Sequence, residues 1–491
     1  MTYQDTGRRP GAYPRDGRPT AAGGYPAAGG YPAAYDGPGA PGAPGPVAEP
    51  VPRRWPGARW VPVGAFWLGL LASALPWWTQ TAGGALADGA ARLTAAGRIT
   101  GLVAGYLLLT QVLLASRLPL LDRLTGAERL GRWHRDVGAT LLVAVLSHAA
   151  LILVGYARLE RASLLNEAST LLRDYEDMLS AFAAAGILVL LGLTAVRAIR
   201  TALPYELWHR LHQGSYLVLL LGYGHQFAGG QQLFRPGPAR TWWIALYLLV
   251  LAALLYGRVI VPLRFNLRHR LRVADVVAES PYAVSVYLTG HRLDRLAHLG
   301  GQFVRWRFLA PGLRAQSHPY TLSAARNGRW LRITVKVVGG HSAALRALRP
   351  GTRVWASRPA GSFTAAHRRR DRALLIAGGS GITPVRAVLE ELPPGAAVIY
   401  RARDAGDVLL HHELDWLAQA RGADLWYVLG ARTDAGPRQV LSAAGLRRLV
   451  PDLAERDVYL CGPPGLVSAA TAALRRARVP RRQIHLATFE L

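Results

Sequence analysis

The chain has 491 residues, with 58 Lys and Arg against 30 Asp and Glu, a formal charge of +28, 51% hydrophobic residues and a mean hydropathy of +0.14. Its single cysteine, Cys461, excludes an internal disulfide and any Cys-rich zinc or iron–sulfur site. Lys336 is the only lysine, and the arginines gather beside apolar runs rather than along one basic face, a pattern that argues against a nucleic-acid partner.

In chain order, residues 1–55 come first. They are rich in Pro, Gly, Ala and Tyr, and GGYPAA repeats at 23–28 and 29–34. Such a segment buries too little apolar surface to offset its ordering entropy, so a disordered tail is expected, and no secretory signal is read at its start. Six apolar runs follow, at roughly 60–80, 99–116, 136–156, 180–197, 210–228 and 241–261. A helix needs about 20 apolar residues to cross a bilayer, so six membrane spans are expected. Trp60, Trp77 and Trp78 border the first, and Trp242 and Trp243 open the sixth, as suits span ends at a lipid–water interface. Arginine placement sets the orientation. Arg53, Arg54 and Arg59, the loop from Arg117 to Arg135, the loop from Arg197 to Arg210, and Arg264 to Arg272 all fall on one side if every run crosses. The positive-inside rule makes that side cytoplasmic, which places the N-terminus and everything after about 265 on the cytoplasmic side of the plasma membrane.

Histidines occur in two of these runs. His134 and His148 lie fourteen residues apart at the third, and His212 and His225 thirteen apart at the fifth. Both runs travel outward, so His134 and His212 share an inner level, and His148 and His225 share an outer one. At about 1.5 Å per residue the levels stand roughly 20 Å apart. Two helices that each present an imidazole at two heights can hold two stacked b-type haems, each with two axial histidines. Thirteen residues is nearer three and a half turns than four, so a bend or π-bulge is expected in the fifth run, where Gly214, Gly222 and Gly224 permit it. His209 is a rival inner ligand to His212. Paired histidines on the third and fifth of six spans resemble the ferric reductase and NADPH oxidase superfamily of flavocytochromes.

From about 270 the pattern changes to short β-rich segments, LRVADVVAES, YAVSVYLTG, GQFVRWRFL and LRITVKVVG, which predict a β-barrel. Within it HPYTLS, His318, Pro319, Tyr320, Thr321, Leu322 and Ser323, resembles the flavin motif of the ferredoxin-NADP reductase superfamily. That resemblance implies Tyr320 packing along the flavin and Thr321 near its reactive edge. Lys336 ends the strand before the Gly339-Gly340-His341-Ser342 turn, which is similar to the second flavin segment, and free N–H groups at a helix start suit phosphate. RPAGSF, with Arg358, departs from the GPYG-like turn of the family. In RALLIAGGSGITPVRAVLEEL an apolar strand meets Gly378, Gly379, Gly381, Ile382, Thr383 and Pro384, a glycine loop opening a helix, as a pyrophosphate site requires. Arg401 and Arg403 follow the next strand, where the family reads the adenosine ribose. An arginine there favours NADPH and leaves NADH open. VYLCGPPG, with Cys461, Gly462 and Pro463, matches the turn beside the nicotinamide. In the terminal ATFEL, Phe489 matches the aromatic that covers the flavin, and Ala487 replaces the usual Glu.

The resemblance thus implies a membrane all-α six-helix haem-binding bundle (56–264), a β-barrel FAD domain (265–368) and an α/β parallel-sheet NAD(P) domain (369–491). Thr321, Cys461 and Phe489 are its expected reactive-centre residues. The expected activity carries electrons from cytoplasmic NAD(P)H through FAD and two haems to an acceptor at the outer face. Ferric chelate comes first among acceptors; O₂, giving superoxide, and an extracytoplasmic redox protein stay open.

Overall fold

The computed structural model describes residues 60–80, 86, 88–175, 177–203, 205–431 and 433–488. The expected tail at 1–55 and Phe489 lie outside them. The chain divides into two compact units on either side of the Val261–Pro262 bond.

In the first unit, five helices among the described residues are long and apolar enough to cross a membrane: Val61–Gln80, Gly89–Ala115, Arg129–Leu159, Met178–Ala195 and Pro238–His269, the last continuing beyond the unit boundary. The second starts ten residues earlier than hydropathy suggests, because Asp88 caps it: its carboxylate accepts the Ala91 N–H at 2.8 Å. The run at 210–228 differs from a single long span. It is built as two helices, Tyr205–Gln213 and Ser215–Ala228, that meet at Gly214. There Gly214 N donates to Leu211 O, three residues back, which overwinds the chain locally. A Cβ at 214 would stand 2.9 Å from that same carbonyl, so the junction suits glycine.

Gly89–Ala115 and the helix Ala127–Leu159 pack along much of their length, and small residues let them do so. Gly97 and Gly101 lie one turn apart facing the longer helix: a Cβ at 97 would meet the Ile152 side chain at 2.8 Å, and one at 101 the His148 ring at 2.8 Å. Outward, the helices present Leu68, Leu71, Trp78 and Leu179, each more than two-thirds exposed.

The second unit opens with six short strands: β1 Arg272–Ser280, β2 Ala283–Thr289, β3 Phe303–Phe308, β4 His318–Thr321, β5 Leu331–Lys336 and β6 Val354–Ala356. They form two antiparallel sheets, β1-β2-β5 and β4-β3-β6. Single bridges, Arg272↔Arg353 and Leu322↔Ile333, join the sheets at both edges around a core of Trp306, Phe308, Val286 and Ile333. Five further strands, β7 Ala373–Gly378, β8 Ala397–Arg401, β9 Asp424–Val428, β10 Asp457–Gly462 and β11 Ile484–Thr488, make a parallel sheet in the order β11-β10-β7-β8-β9. β7 and β10 are buried along their whole length, as strands covered on both faces must be. The chain leaves β7 toward β8 and β9, then returns to β10 and β11 on the other side. The crevice beyond the carboxyl ends of β7 and β10 is therefore a topological switch point, where open α/β sheets take ligands.

Candidate functional site

Two groups of candidate residues occupy separate units. In the helical unit the four histidines form two ring pairs. His134 and His212 have ring centres 6.0 Å apart, and His148 and His225 6.3 Å apart. Of the two inner candidates on its helix, His212 carries the ring facing His134. Both histidines of the longer helix lean on Gly89–Ala115: His148 Nδ1 lies 2.7 Å from Gly97 O, and His134 Nδ1 3.3 Å from Gln111 O. Gly97 and Gln111 are themselves fourteen residues apart, so one helix braces both levels. A proton on each Nδ1 leaves Nε2 with a lone pair, the arrangement in which histidine ligates metal.

The partners are held differently. His225 Nδ1 is buried without a hydrogen-bond partner among the described residues, and His212 stacks on Trp208 at 5.0 Å and 11°. Imidazole nitrogens bond metal ions at about 2 Å, so ring centres 6.0 and 6.3 Å apart leave room for one ion between the rings of each pair. The inner pair carries one competitor, since Gln111 Nε2 lies 3.2 Å from His134 Nε2. No cluster of three or more His, Cys, Asp or Glu exists among the described residues, and an axial pair requires none.

In the second unit, β4 holds HPYT against β3, with Trp306 Nε1 donating to Tyr320 O at 3.1 Å. Tyr320 is half-buried, and desolvation pushes its hydroxyl up to about 12. Thr321, Leu322 and Ser323 are buried, and Ser323 Oγ meets Thr334 Oγ1 at 2.9 Å. The His318 and His341 rings meet tilted, with centres 3.7 Å apart, and share Gln316 Oε1, at 3.2 and 2.9 Å. The Gly340 turn thus comes to the HPYT strand. Ser342 Oγ accepts the N–H groups of Val338 and Gly339, and Lys336 pairs with Asp407 at 3.2 Å.

At the switch point, Gly379 has φ +53°, a left-handed value that suits glycine. A Cβ at Gly381 would lie 2.2 Å from Cys461 O, so the loop and the β10 turn meet backbone to backbone. Thr383 Oγ1 donates to Ser380 O at 3.0 Å, and Pro384 sits in the first turn of the buried helix Ile382–Glu391. Cys461 is fully buried, and burial pushes its thiol up, which keeps it neutral. Gly462 is buried behind it, and Pro463 caps the next helix. Arg401 donates to the carbonyls of Val428, at 3.0 Å, and Gly430, whereas Arg403 is exposed. The sequence reading missed Gly97, Gly101 and Gln111. The spacing GRITGLVAG was a legible small-xxx-small signal for the glycines; nothing marked Gln111.

Residues 100–223 match the family described as "Ferric reductase like transmembrane component", and residues 375–472 the "Oxidoreductase NAD-binding domain". Among curated proteins, the ferredoxin reductase component of 3-ketosteroid-9-alpha-monooxygenase from Mycolicibacterium smegmatis is 32% identical over 45% of this chain and 65% of its own. The stachydrine N-demethylase reductase subunit of Rhizobium meliloti is 32% identical over 39% and 58%, and a flavohemoprotein of Pseudomonas aeruginosa 32% over 45% and 58%. The chain spans less than two thirds of each of these relatives. Among solved structures, the flavohem-like FAD/NAD binding domain of nitric oxide dioxygenase from Vibrio cholerae aligns at 25% identity, covering 45% of this chain and 98% of that one, with a TM-score of 0.38. The chain thus carries one segment similar to a ferric reductase-like transmembrane component and another similar to an oxidoreductase NAD-binding domain.

Proposed function

We propose that the protein is a membrane-spanning flavocytochrome that passes electrons from cytoplasmic NAD(P)H through FAD and two b-type haems to ferric chelate at the outer face. The observation that carries this reading is the pair of histidine couples, 6.0 and 6.3 Å between ring centres. Six crossings, with Tyr205–Ala228 as the fifth, fit the apolar residues that the helices expose outward. In the second unit the strands stitched at both edges serve as a β-barrel for FAD. The domain division is that read in the sequence, at 56–264, 265–368 and 369–491.

His134 and His212 would hold the inner haem, and His148 and His225 the outer one. When bound, flavin accepts two electrons together and releases them singly to iron, which takes one at a time. The chain's own residues do the rest. Gly97 O and Gln111 O orient two of the four imidazoles. Tyr320 and Thr321, with His318, Pro319, Leu322 and Ser323, seat the flavin. Gly340, His341 and Ser342, beside Lys336, take its pyrophosphate. Gly378, Gly379, Gly381, Ile382, Thr383 and Pro384 let backbone N–H groups approach the nicotinamide nucleotide. Arg403, the exposed arginine of the two, meets a 2′-phosphate, which favours NADPH. Cys461, Gly462 and Pro463 wall the nicotinamide end, and Phe489 covers the flavin.

The test is haem stoichiometry and a reduced-minus-oxidised spectrum of the purified protein, two b-type haems per chain being expected. In inverted vesicles with NADPH, Fe(II) production that survives superoxide dismutase and the absence of O₂ supports the ferric reading. Production lost under either condition refutes it. A purified protein that holds flavin but no haem refutes the whole wiring.

A further inference from the structure

The two nucleotide motifs of the second unit are joined by a buried charge clamp. Glu413, on the helix His411–Ala420 of the parallel-sheet half, receives the Arg332 fork from β5: Nη1 to Oε2 at 3.0 Å and Nη2 to Oε1 at 3.0 Å. The same Arg332 turns back onto the end of HPYTLS, donating Nε to Ser323 Oγ at 3.1 Å and Nη2 to Ser323 O at 2.8 Å. The same Glu413 Oε1 also pairs with Arg386, two residues beyond Pro384 on the helix that opens at the glycine loop. Arg332, Glu413 and Arg386 side chains are only 1%, 8% and 4% exposed. Two further carboxylates of that helix reach the antiparallel half. Glu390 accepts Ala325 N–H at 2.8 Å and pairs with Arg386, and Glu391 accepts Gly300 N–H at 2.8 Å.

A buried ion pair is weak evidence of stabilisation, since apolar residues of like volume hold a seam as well. What a bidentate guanidinium–carboxylate pair adds is direction: two parallel bonds fix an orientation that packing leaves free to slide. Here the direction runs from the flavin motif to the nucleotide loop through one carboxylate.

We infer that Glu413 is a positioning residue: with Arg332 and Arg386 it sets the spacing of the HPYTLS strand against the GGSGITP loop, and so the approach of nicotinamide to flavin. This rests on the reading of those motifs as flavin and nicotinamide sites. A displacement of about 1 Å at reacting centres costs on the order of 100-fold in rate, so the clamp acts on kcat rather than on KM.

The test uses the full-length protein in detergent. Glu413→Gln keeps the shape and loses the charge. Flavin reduction at saturating NADPH is expected to slow by about tenfold or more, with the KM for NADPH within about twofold of wild type. In flavin-free protein, hydrogen exchange is expected to rise at both 318–325 and 378–386. Should this variant not fold, Arg332→Met with Glu413→Met replaces the pair by apolar side chains, which buried seams tolerate. It is expected to hold flavin at wild-type stoichiometry and still reduce it slowly. Wild-type reduction rates in whichever variant folds, or a lowered Tm with unchanged exchange at both segments, overturn the inference. Wild-type protein that binds neither flavin nor nicotinamide defeats the underlying reading instead, and the cofactor-free exchange measurement still decides the clamp.

Discussion

Gly101 is the position where one methyl group tests the histidine wiring most directly. A Cβ there would lie 2.8 Å from both Cε1 and Nδ1 of the His148 ring. Ordinary contact begins at 3.4 Å, so Gly101→Ala obliges the ring to retreat by about 0.6 Å. Metal–ligand distances tolerate about 0.2 Å. The ring has little freedom to give, because its Nδ1 is held 2.7 Å from Gly97 O on the same helix that carries the new methyl. Overpacking of this kind costs about 1–3 kcal/mol, which, if His148 and His225 hold the proposed outer haem, corresponds to about a 5- to 150-fold loss of its affinity. The assay is haem per chain after gel filtration, by the pyridine haemochrome method. Gly101→Ala is expected to fall from two haems toward one, with the inner haem retained. Gly186→Ala, whose Cβ meets nothing within 4 Å, is the control and keeps two. Retention of both haems in Gly101→Ala, with wild-type spectrum and wild-type loss on dilution, refutes the assignment of His148 as a ligand braced by this helix.

Other outcomes follow from the same geometry. His225→Ala removes the partner at 6.3 Å and is expected to abolish reduction of an external acceptor while NADPH still bleaches the flavin absorbance, followed in vesicles. Gly381→Ala drives a methyl into Cys461 O, backbone against backbone, and is expected to cost about 1–3 kcal/mol or more, read as a lowered Tm and lost nucleotide binding. Cys461 is buried with its thiol pushed up, so native protein is expected to resist iodoacetamide at pH 8 and react only on unfolding; rapid native labelling contradicts the burial. Glu391 is raised from 4.5 to about 7 by burial, so the folded state holds its proton above the pH at which the unfolded state releases it. Its contribution to stability is therefore complete below about pH 4.5 and is lost as pH rises toward 7, by roughly 3 kcal/mol in all. Glu391→Gln is expected to flatten that part of the Tm-against-pH profile; an unchanged slope refutes it.

The parts that were legible in the sequence are those in which one short stretch carries its own geometry. GGSGITP places a left-handed glycine, a backbone approach and a helix-opening proline within seven residues, and the structure assembles them at the sheet's switch point. In the run at 210–228 the thirteen-residue histidine spacing called for a bend or π-bulge at one of three glycines, but hydropathy averages over a window and could not say that the break is a single i→i−3 bond at Gly214. Arg401 and Arg403 are alike in sequence, and only the carbonyls of Val428 and Gly430, at and beyond the end of the neighbouring strand β9, separate a guanidinium bound to backbone from an exposed one. The remaining features join residues far apart in the chain. His148 is braced by Gly97 across 51 residues, and Arg332 grips Glu413 across 81. Helical periodicity reaches four residues and strand alternation two, so neither pattern carries information about partners at such separations. The residues that perform chemistry announce themselves by type, whereas those that orient them are glycines, carbonyls and paired charges whose meaning exists only once the helices and sheets have met.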